Sequence, residues 1–334
     1  MSVESQLRVG VIGVGVMGRN HARVYAELGH LVAIADPDAE AAKAVGERFG
    51  VPTFDDYRAL LDGAAVDAVS IATATTHHHA IARACLEAGV HSLVEKPLCA
   101  TAAEARDLIE LARERGRVLA VGHIERHNPA VLAAKAALDR GEFGPLLSLS
   151  ARRVSSFPAR IGDVGVMLDL AVHEVDVQRF LVGRPVVSVY ARAGRQGHER
   201  FEDRATLLLE FEGDVTGVIE VNWRTPIKAR TLTLTCESRL VSLDYTRQSM
   251  TVSSARLHDY DPGDLSHVPL EYDVLETQLR WQEPLKRELL DFLEAVRSGR
   301  APLVTGSDGL EAIRIIEGAL EADRTGAAVR FRGA

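Results

Sequence analysis

The stretch RVGVIGVGVMGRNHARVYAELGHLVAIAD, residues 8–36, decides the fold of this chain. A short apolar segment leads directly into the glycine pattern of Gly13, Gly15 and Gly18, and an amphipathic segment typical of a helix follows. A second apolar run then ends at Asp36, about twenty residues after the glycines. This order of strand, glycine turn, helix, strand and acid predicts the first part of a dinucleotide-binding βαβ unit.

Each glycine of the turn has a separate expected role. Gly13 permits the tight turn, and Gly18 allows the helix to pack close to the strand. Gly15 lets the backbone approach a pyrophosphate, which would sit on the helix N-terminus formed by Val16 and Met17. These five residues are therefore predicted to bind the cofactor.

Asp36 is expected to accept hydrogen bonds from the ribose hydroxyls of the adenosine half. A carboxylate at this position would repel a 2′-phosphate, which favours NAD over NADP, although neighbouring cations could override a single acid. Further strands alternate with helical patterns at 66–73, 91–98 and 117–123. Such alternation predicts an α/β domain with a doubly wound parallel sheet, extending to about residue 122.

Composition excludes several classes of protein. The 334 residues are 46% hydrophobic and 26% charged with a net charge of −8, which argues against a general binder of nucleic acid or of anionic membranes. The three cysteines are scattered without a CxxC pair, as in a reducing compartment. No signal peptide or membrane-length apolar run is apparent, so we expect a soluble cytoplasmic protein.

Ligands of such sheets lie beyond the carboxyl ends of the strands. Thr73 and His78 follow one strand, and Glu95 and Lys96 end the next, so all four are predicted to lie beside the cofactor. Lys96 would suit proton transfer in a cleft, although a surface lysine ending a strand is the simpler alternative. The run His77–His79 does not predict a metal site, because adjacent histidines on a helix point in different directions.

Three motifs occur in order: the glycine fingerprint, Glu95-Lys96-Pro97, and D-x-x-x-H-x-x-D at residues 169–176. Together they resemble the Gfo/Idh/MocA family of sugar and cyclitol oxidoreductases over essentially the whole chain. The resemblance implies an NAD-binding Rossmann domain, residues 1–122, followed by an α/β domain on an open, largely antiparallel sheet, residues 123–334. That second domain would bind substrate and form a homo-oligomer, a dimer or a tetramer.

The same resemblance implies hydride transfer between a nicotinamide and a sugar carbinol carbon. Lys96 matches the family's catalytic lysine, and Asp169 and His173 match its acid and histidine. Oxidising an alcohol requires a proton acceptor, and His173 suits neutral pH, but Lys96 and His173 could exchange the roles of base and electrostatic stabiliser. Asp176 is either part of the site or a structural hydrogen-bonding residue.

Residues 122–130, 152–176 and 222–231 look most like the UDP-N-acetylglucosamine 3-dehydrogenase branch of the family. This likeness implies reaction at C3 of a UDP-N-acetylhexosamine, giving a 3-keto sugar. The expected substrate-binding residues are Lys96, Arg126, Asn128, Arg160, Asp169, His173, Trp223 and Lys228. A diphosphate also needs cations, and two clusters are candidates, although a solvated strand face would explain them equally: Arg152, Arg153 and Arg160, and Arg224, Lys228 and Arg230.

Other functions remain open. The same chemistry could act on inositol or a free sugar, or could reduce a 3-keto nucleotide sugar. A non-catalytic, cofactor-sensing regulator is a different class of protein. The joint presence of Lys96, Asp169 and His173 argues against that regulator.

Overall fold

The computed structural model describes residues 6–156, 164–197, 200–257 and 270–331. Contacts divide the chain into two compact units: Met1–His127 with Glu283–Glu317, and Asn128–Gln282 with Gly318–Ala334. The sequence predicted one boundary at residue 122 and placed everything after it in the second domain. The structure differs because residues 283–317 return to the first unit.

The first unit alternates strands with helices from its start. Its elements in chain order are β1 (Val9–Ile12), α1 (Val16–Glu27), β2 (Leu31–Ala35), α2 (Ala39–Phe49), β3 (Thr53–Phe54), α3 (Tyr57–Gly63), β4 (Ala68–Ile71), α4 (Thr75–Glu87), β5 (His91–Glu95), α5 (Ala102–Arg115) and β6 (Leu119–Gly122). The strands lie in the order β3-β2-β1-β4-β5-β6, and each neighbouring pair is parallel. The predicted doubly wound parallel sheet is confirmed.

A returning helix completes this unit. After a 3-10 turn at Ile124–His127, the chain leaves the unit and comes back as α8 (Pro284–Ser298). The apolar face of this helix, Leu285, Leu289, Phe292 and Leu293, is buried in one cluster with side chains of β1 and β2. Residues 283–317 therefore belong to the first unit because their apolar face covers its sheet.

The second unit is built on a sheet of longer strands. Its elements are α6 (Pro129–Asp139), β7 (Leu146–Ser156), a π turn (Met167–Ala171), α7 (Val172–Val182), β8 (Val186–Gly194), β9 (Arg204–Phe211), β10 (Val215–Asn222), β11 (Arg224–Cys236), β12 (Leu240–Asp244), β13 (Ser249–Leu257), β14 (Leu270–Gln278) and β15 (Val329–Arg330). The final helix, α9 (Gly306–Thr325), is divided between the units at residue 317.

The strands of the second unit lie in the order β14-β13-β12-β11-β7-β10-β9-β8-β15. Strand β10 runs parallel to β7, and the other neighbouring pairs are antiparallel. This confirms the open, largely antiparallel sheet. Strand β9 alternates strictly between exposed and buried residues, so one face of the sheet is packed and the other is not.

Among the described residues, no helix is both long and apolar enough to span a lipid bilayer.

Candidate functional site

The glycine turn between β1 and α1 is closely packed where the fingerprint predicts contact. Gly13 has φ +87°, and a Cβ there would lie 2.7 Å from the carbonyl oxygen of Ala72. A Cβ on Gly18 would overlap the carbonyl oxygen of Gly13. A Cβ on Gly15 would meet open space instead. Contacts within the protein thus require glycine at positions 13 and 18. At position 15 the open space fits an approaching ligand.

The N-terminus of α1 also fits an anion. Helices α2 and α5 begin with side-chain caps from Asp38 and Thr101, and both have an acid in the first turn. Helix α1 has Gly15 at its N-cap, where no side chain caps it, and has no acid in its first turn. The helix dipole at Val16 and Met17 therefore faces no protein carboxylate of that turn, which favours a bound pyrophosphate.

Asp36 lies directly after β2 and is held against the glycine turn. Its Oδ2 accepts a hydrogen bond from the main-chain N–H of Val14 at 2.6 Å, and its Oδ1 accepts one from the N–H of Asp38 at 2.9 Å. These bonds fix the direction of the carboxylate. Each carboxylate oxygen retains further acceptor capacity, so the predicted contact with a ribose hydroxyl fits this geometry.

His78 is buried between two loops at the carboxyl edge of the sheet. Its Nδ1 lies 2.8 Å from the carbonyl oxygen of Pro97, and its Nε2 lies 3.1 Å from that of Thr73. Burial lowers the pKa of His78, so the neutral ring has one N–H to donate to these two acceptors. His79 instead contacts Asp107 at 2.7 Å, so the histidine run diverges. His78 thus positions the loops that follow β4 and β5.

Lys96 follows β5, and a buried carboxylate precedes it. Glu95 accepts hydrogen bonds from Nε2 of His21 at 3.0 Å and from the main-chain N–H of Lys96 at 3.2 Å. Burial raises the pKa of Glu95, but the hydrogen bond and charge of His21, together with the charge of Lys96, outweigh it and hold that pKa below its ordinary value. The carboxylate beside Lys96 is therefore ionised at neutral pH.

In the second unit, Asp169 and His173 lie on two different kinds of turn. Asp169 is half-buried within the π turn, whereas His173 is buried in the first turn of α7, and Asp176 is buried farther along α7. The spacings of four and three residues would place all three on one face of a regular α-helix. The α-helical spacing holds only from Val172 onward, and π turns are frequent at functional sites.

Glu202, which the sequence did not indicate, holds the start of this helical segment. Its Oε1 accepts a hydrogen bond from the N–H of Met167 at 3.1 Å, and its main-chain oxygen accepts one from Val166 at 3.0 Å. A Cβ on Gly165 would overlap the Glu202 carboxylate. Gly165 is therefore needed for the close approach that places Asp169.

A second acid that the sequence analysis missed is Glu174, next to His173. Its Oε1 accepts a hydrogen bond from Nη1 of Arg153 at 2.9 Å, and its Oε2 accepts one from the hydroxyl of Tyr245 at 3.1 Å. All three side chains are buried. They join α7 to β7 and to the end of β12, which fixes the helix that carries His173.

Several predicted substrate-binding residues point inward. Arg126 is buried and donates to Oδ1 of Asp308 at 2.9 Å and to the carbonyl of Leu303 at 3.3 Å. Asn128 is buried, and its Oδ1 caps α6 while its Nδ2 donates to the carbonyl of Tyr245. These bonds hold Arg126 and Asn128 within the fold, and their contact with substrate stays a prediction.

Of the other predicted substrate residues, Trp223 is buried between the ends of β10 and β11, whereas Lys228 is exposed on β11. Arg160 lies outside the described residues.

The predicted cation clusters are also altered by the fold. Arg152 pairs with Glu220 at 3.1 Å on the surface, and Arg153 turns inward to Glu174. The pairing of β11 with β7 is irregular between Arg224 and Ala229, so Arg224 and Arg230 are not joined by an unbroken strand register. Pro226 lies within this irregular segment and donates no N–H to the ladder.

The first unit has the fold and the glycine turn of a nicotinamide-dependent oxidoreductase. Residues 7–123 match the model for an oxidoreductase family with an NAD-binding Rossmann fold, and residues 131–241 match the GFO/IDH/MocA C-terminal domain. The chain belongs to the Gfo/Idh/MocA oxidoreductase family. It is accordingly a dehydrogenase whose cofactor is NAD.

Characterised relatives differ in their substrates. The UDP-N-acetylglucosamine 3-dehydrogenase of Acidithiobacillus ferrooxidans is 33% identical, covering 94% of this chain and 96% of the relative. Inositol 2-dehydrogenase 1 of Saccharopolyspora erythraea is 32% identical, covering 97% of this chain and 96% of the relative. A solved structure of the Acidithiobacillus enzyme superposes with a TM-score of 0.85 at 31% identity, over 96% of this chain and 98% of the other.

Proposed function

We propose that this protein transfers a hydride between NAD and C3 of a UDP-N-acetylhexosamine, interconverting the sugar and its 3-keto form. The observation that carries the proposal is the full-length likeness to a UDP-N-acetylglucosamine 3-dehydrogenase, in both sequence and fold. An inositol dehydrogenase is the second candidate, because relatives of that activity match over the same length at similar identity.

The cofactor, when bound, accepts the hydride that leaves the carbinol carbon. The hydroxyl proton must then be removed, and we assign that task to Lys96 and His173. One of them takes the proton, and the other stabilises the negative charge that develops on the oxygen. Asp169 is assigned to orienting the imidazole or to a substrate hydroxyl.

The diphosphate of the substrate needs cationic partners. Arg153 is occupied by Glu174 in the interior, and Arg152 pairs with Glu220. We assign the diphosphate to Lys228, which is exposed on β11, and to Arg160. Replacing Lys228 with Met should raise KM for a nucleotide sugar at least about tenfold and leave KM for NAD unchanged.

The substrate is tested with a panel of UDP-N-acetylhexosamines, inositols and free sugars, each with NAD. Reduced nicotinamide is followed by its absorbance, and the oxidised carbon is located by NMR. Oxidation at C3 of a UDP-sugar supports the proposal. Turnover of inositol without any nucleotide sugar would establish the second candidate, and NAD binding without turnover of any compound would favour the regulator.

We also propose a cytoplasmic homo-oligomer formed through the sheet of the second unit. Leu208 of β9 and Val218 of β10 face each other directly and remain 42% and 37% exposed. On β14, Tyr272 and Val274 are also exposed. Light scattering should give a multiple of the 36.2 kDa chain. Leu208→Glu should reduce that mass, whereas a monomeric parent protein would rule the oligomer out.

A further inference from the structure

Three buried ionisable side chains meet in the first unit, close to Lys96. They come from three different elements: His21 from α1, Glu95 from the end of β5, and Glu288 from α8. One nitrogen or oxygen atom of each lies within 4.8 Å of the others. Burying charged groups is costly unless they are paired, so this arrangement needs a physical explanation.

Two hydrogen bonds hold the Glu95 carboxylate in place. One of its oxygens accepts from Nε2 of His21 at 3.0 Å, and the other accepts from the main-chain N–H of Lys96 at 3.2 Å. On the neighbouring strand β6, Gly122 is paired with Glu95, and a Cβ there would lie 3.1 Å from the carboxylate. The absence of a side chain at Gly122 thus makes room for this acid.

A metal ion is a poor explanation of the cluster. Its donor set of one imidazole and two carboxylates is chemically suitable. However, Nε2 of His21 lies 3.0 Å from the Glu95 oxygen, and in the tautomer that donates an N–H to this carboxylate Nε2 has no lone pair for a metal. The pair therefore has the geometry of an imidazole that stabilises a buried carboxylate.

We propose that His21 and Glu95 are positioning residues for Lys96: the buried Glu95 carboxylate, held by His21, binds the main-chain N–H of Lys96 and places a negative charge beside this residue. This inference rests on the proposed function, because it takes Lys96 as a reacting group. The charged or titratable neighbours that face Glu95 are His21 from α1, Glu288 from α8, His78 from α4, and Lys96 itself.

The proposal predicts an effect on chemistry rather than on cofactor binding. Glu95→Gln preserves the shape of the side chain but removes its charge, and His21→Gln removes the imidazole while retaining an N–H donor. Each variant should lower kcat about 10²-fold and change KM for NAD less than about threefold. Glu95→Asp should recover part of the lost rate, because it restores the charge.

The kcat–pH profile separates positioning from a merely structural role. In Glu95→Gln, the limb that depends on Lys96 should move to lower pH, because an ammonium is less stable without a neighbouring carboxylate. His79→Gln is the matched control, since it removes a histidine of the same unit that contacts Asp107 instead. Its profile should superpose on that of the parent protein.

The chemical reactivity of Lys96 can be measured without turnover, so it tests this inference separately from the proposed function. The full-length protein is treated with acetic anhydride near pH 8, and acetylation of Lys96 is measured by mass spectrometry. Lys96 should react several-fold faster in Glu95→Gln, which removes the neighbouring negative charge, and at the parent rate in His79→Gln. If the parent protein turns over no sugar, the proposed function fails, but the acetylation rates still test the positioning.

Two results would overturn the inference. The first is a folded Glu95→Gln protein, verified by circular dichroism and NAD binding, whose Lys96 acetylation rate and pH profile match those of the parent. The second is a stoichiometric metal in the purified protein that is lost in Glu95→Gln, because the cluster would then be a metal site.

Discussion

Replacing Glu174 with Gln should destabilise the second unit strongly. The carboxylate and its partner Arg153 are 0% and 3% exposed, and their atoms lie 2.9 Å apart. Gln keeps the shape of the side chain but removes the negative charge that faces the buried guanidinium. Removing one member of a buried ion pair costs about 3–5 kcal/mol. Because Gln can still accept a hydrogen bond, we expect a loss of about 3 kcal/mol in the free energy of unfolding.

The adjacent arginine supplies a matched control. Arg152 pairs with Glu220 on the other face of the same strand, where the two side chains are 50% and 43% exposed. Glu220→Gln should cost at most about 1 kcal/mol, because solvent screens such a pair. Both substitutions remove one negative charge, so a general change in net charge would affect them equally.

Tryptophan fluorescence in urea provides the assay. Both tryptophans of the chain, Trp223 and Trp281, belong to the second unit, so the fluorescence transition reports the unfolding of that unit. A Glu174→Gln variant within about 1 kcal/mol of Glu220→Gln would refute the reasoning. The double variant Arg153→Met with Glu174→Leu should regain much of the loss, because it removes both buried charges.

Further outcomes are expected for the first unit and for the catalytic residues. Lys96→Met and His173→Ala should each lower kcat at least about 10²-fold while retaining NAD binding by titration calorimetry; a near-normal rate in either variant would exclude that residue from the chemistry. Asp36→Ser should raise the kcat/KM ratio of NADP to NAD about tenfold, because it removes repulsion of the 2′-phosphate, and an unchanged ratio would contradict that role. Burial raises the pKa of Asp308, but the Arg126 charge and the Thr305 hydrogen bonds outweigh it and leave that pKa below its usual value. The ionised Asp308 carboxylate therefore stabilises the fold fully above the pKa of an unfolded-state aspartate, and this stabilisation is lost as the pH falls through the lower pKa of the folded state. Calorimetry should show a lower Tm for Asp308→Asn than for the parent protein at pH 7, and the difference should shrink below about pH 4. Burial also raises the pKa of the Cys85 and Cys99 thiols to about 12, and Cys236 is buried as well, so a disulfide reagent at pH 8 should modify the three cysteines only after urea is added.

The Rossmann part was predictable because its signals are local. A strand, a glycine turn and a helix follow one another within residues 8–28, and Gly13 and Gly18 occupy the close contacts that the fingerprint requires. The return of α8 was not predictable in this way. Its apolar face is visible in the sequence, but the sequence does not say which sheet that face covers.

In the second unit, the burial of Arg153 could be predicted from the sequence, whereas the π turn could not. Leu149, Ala151 and Arg153 alternate along β7 and are all buried, so strand periodicity alone places Arg153 inside and its neighbour Arg152 outside. Adjacency in the sequence alone, by contrast, predicts one cationic cluster from the two arginines. The π turn at Asp169 has no comparable pattern, because it depends on Glu202, a residue far along the chain.

The interrupted course of the first unit has a consequence for how the protein is made. Residues 128–282 leave the ribosome before Leu285 and Phe292, which cover the sheet of the first unit. The second unit is likewise completed only when β15 pairs with β8. A nascent chain synthesised only as far as residue 282 therefore exposes apolar sheet surface in its first unit. Such exposed apolar surface is what chaperones bind.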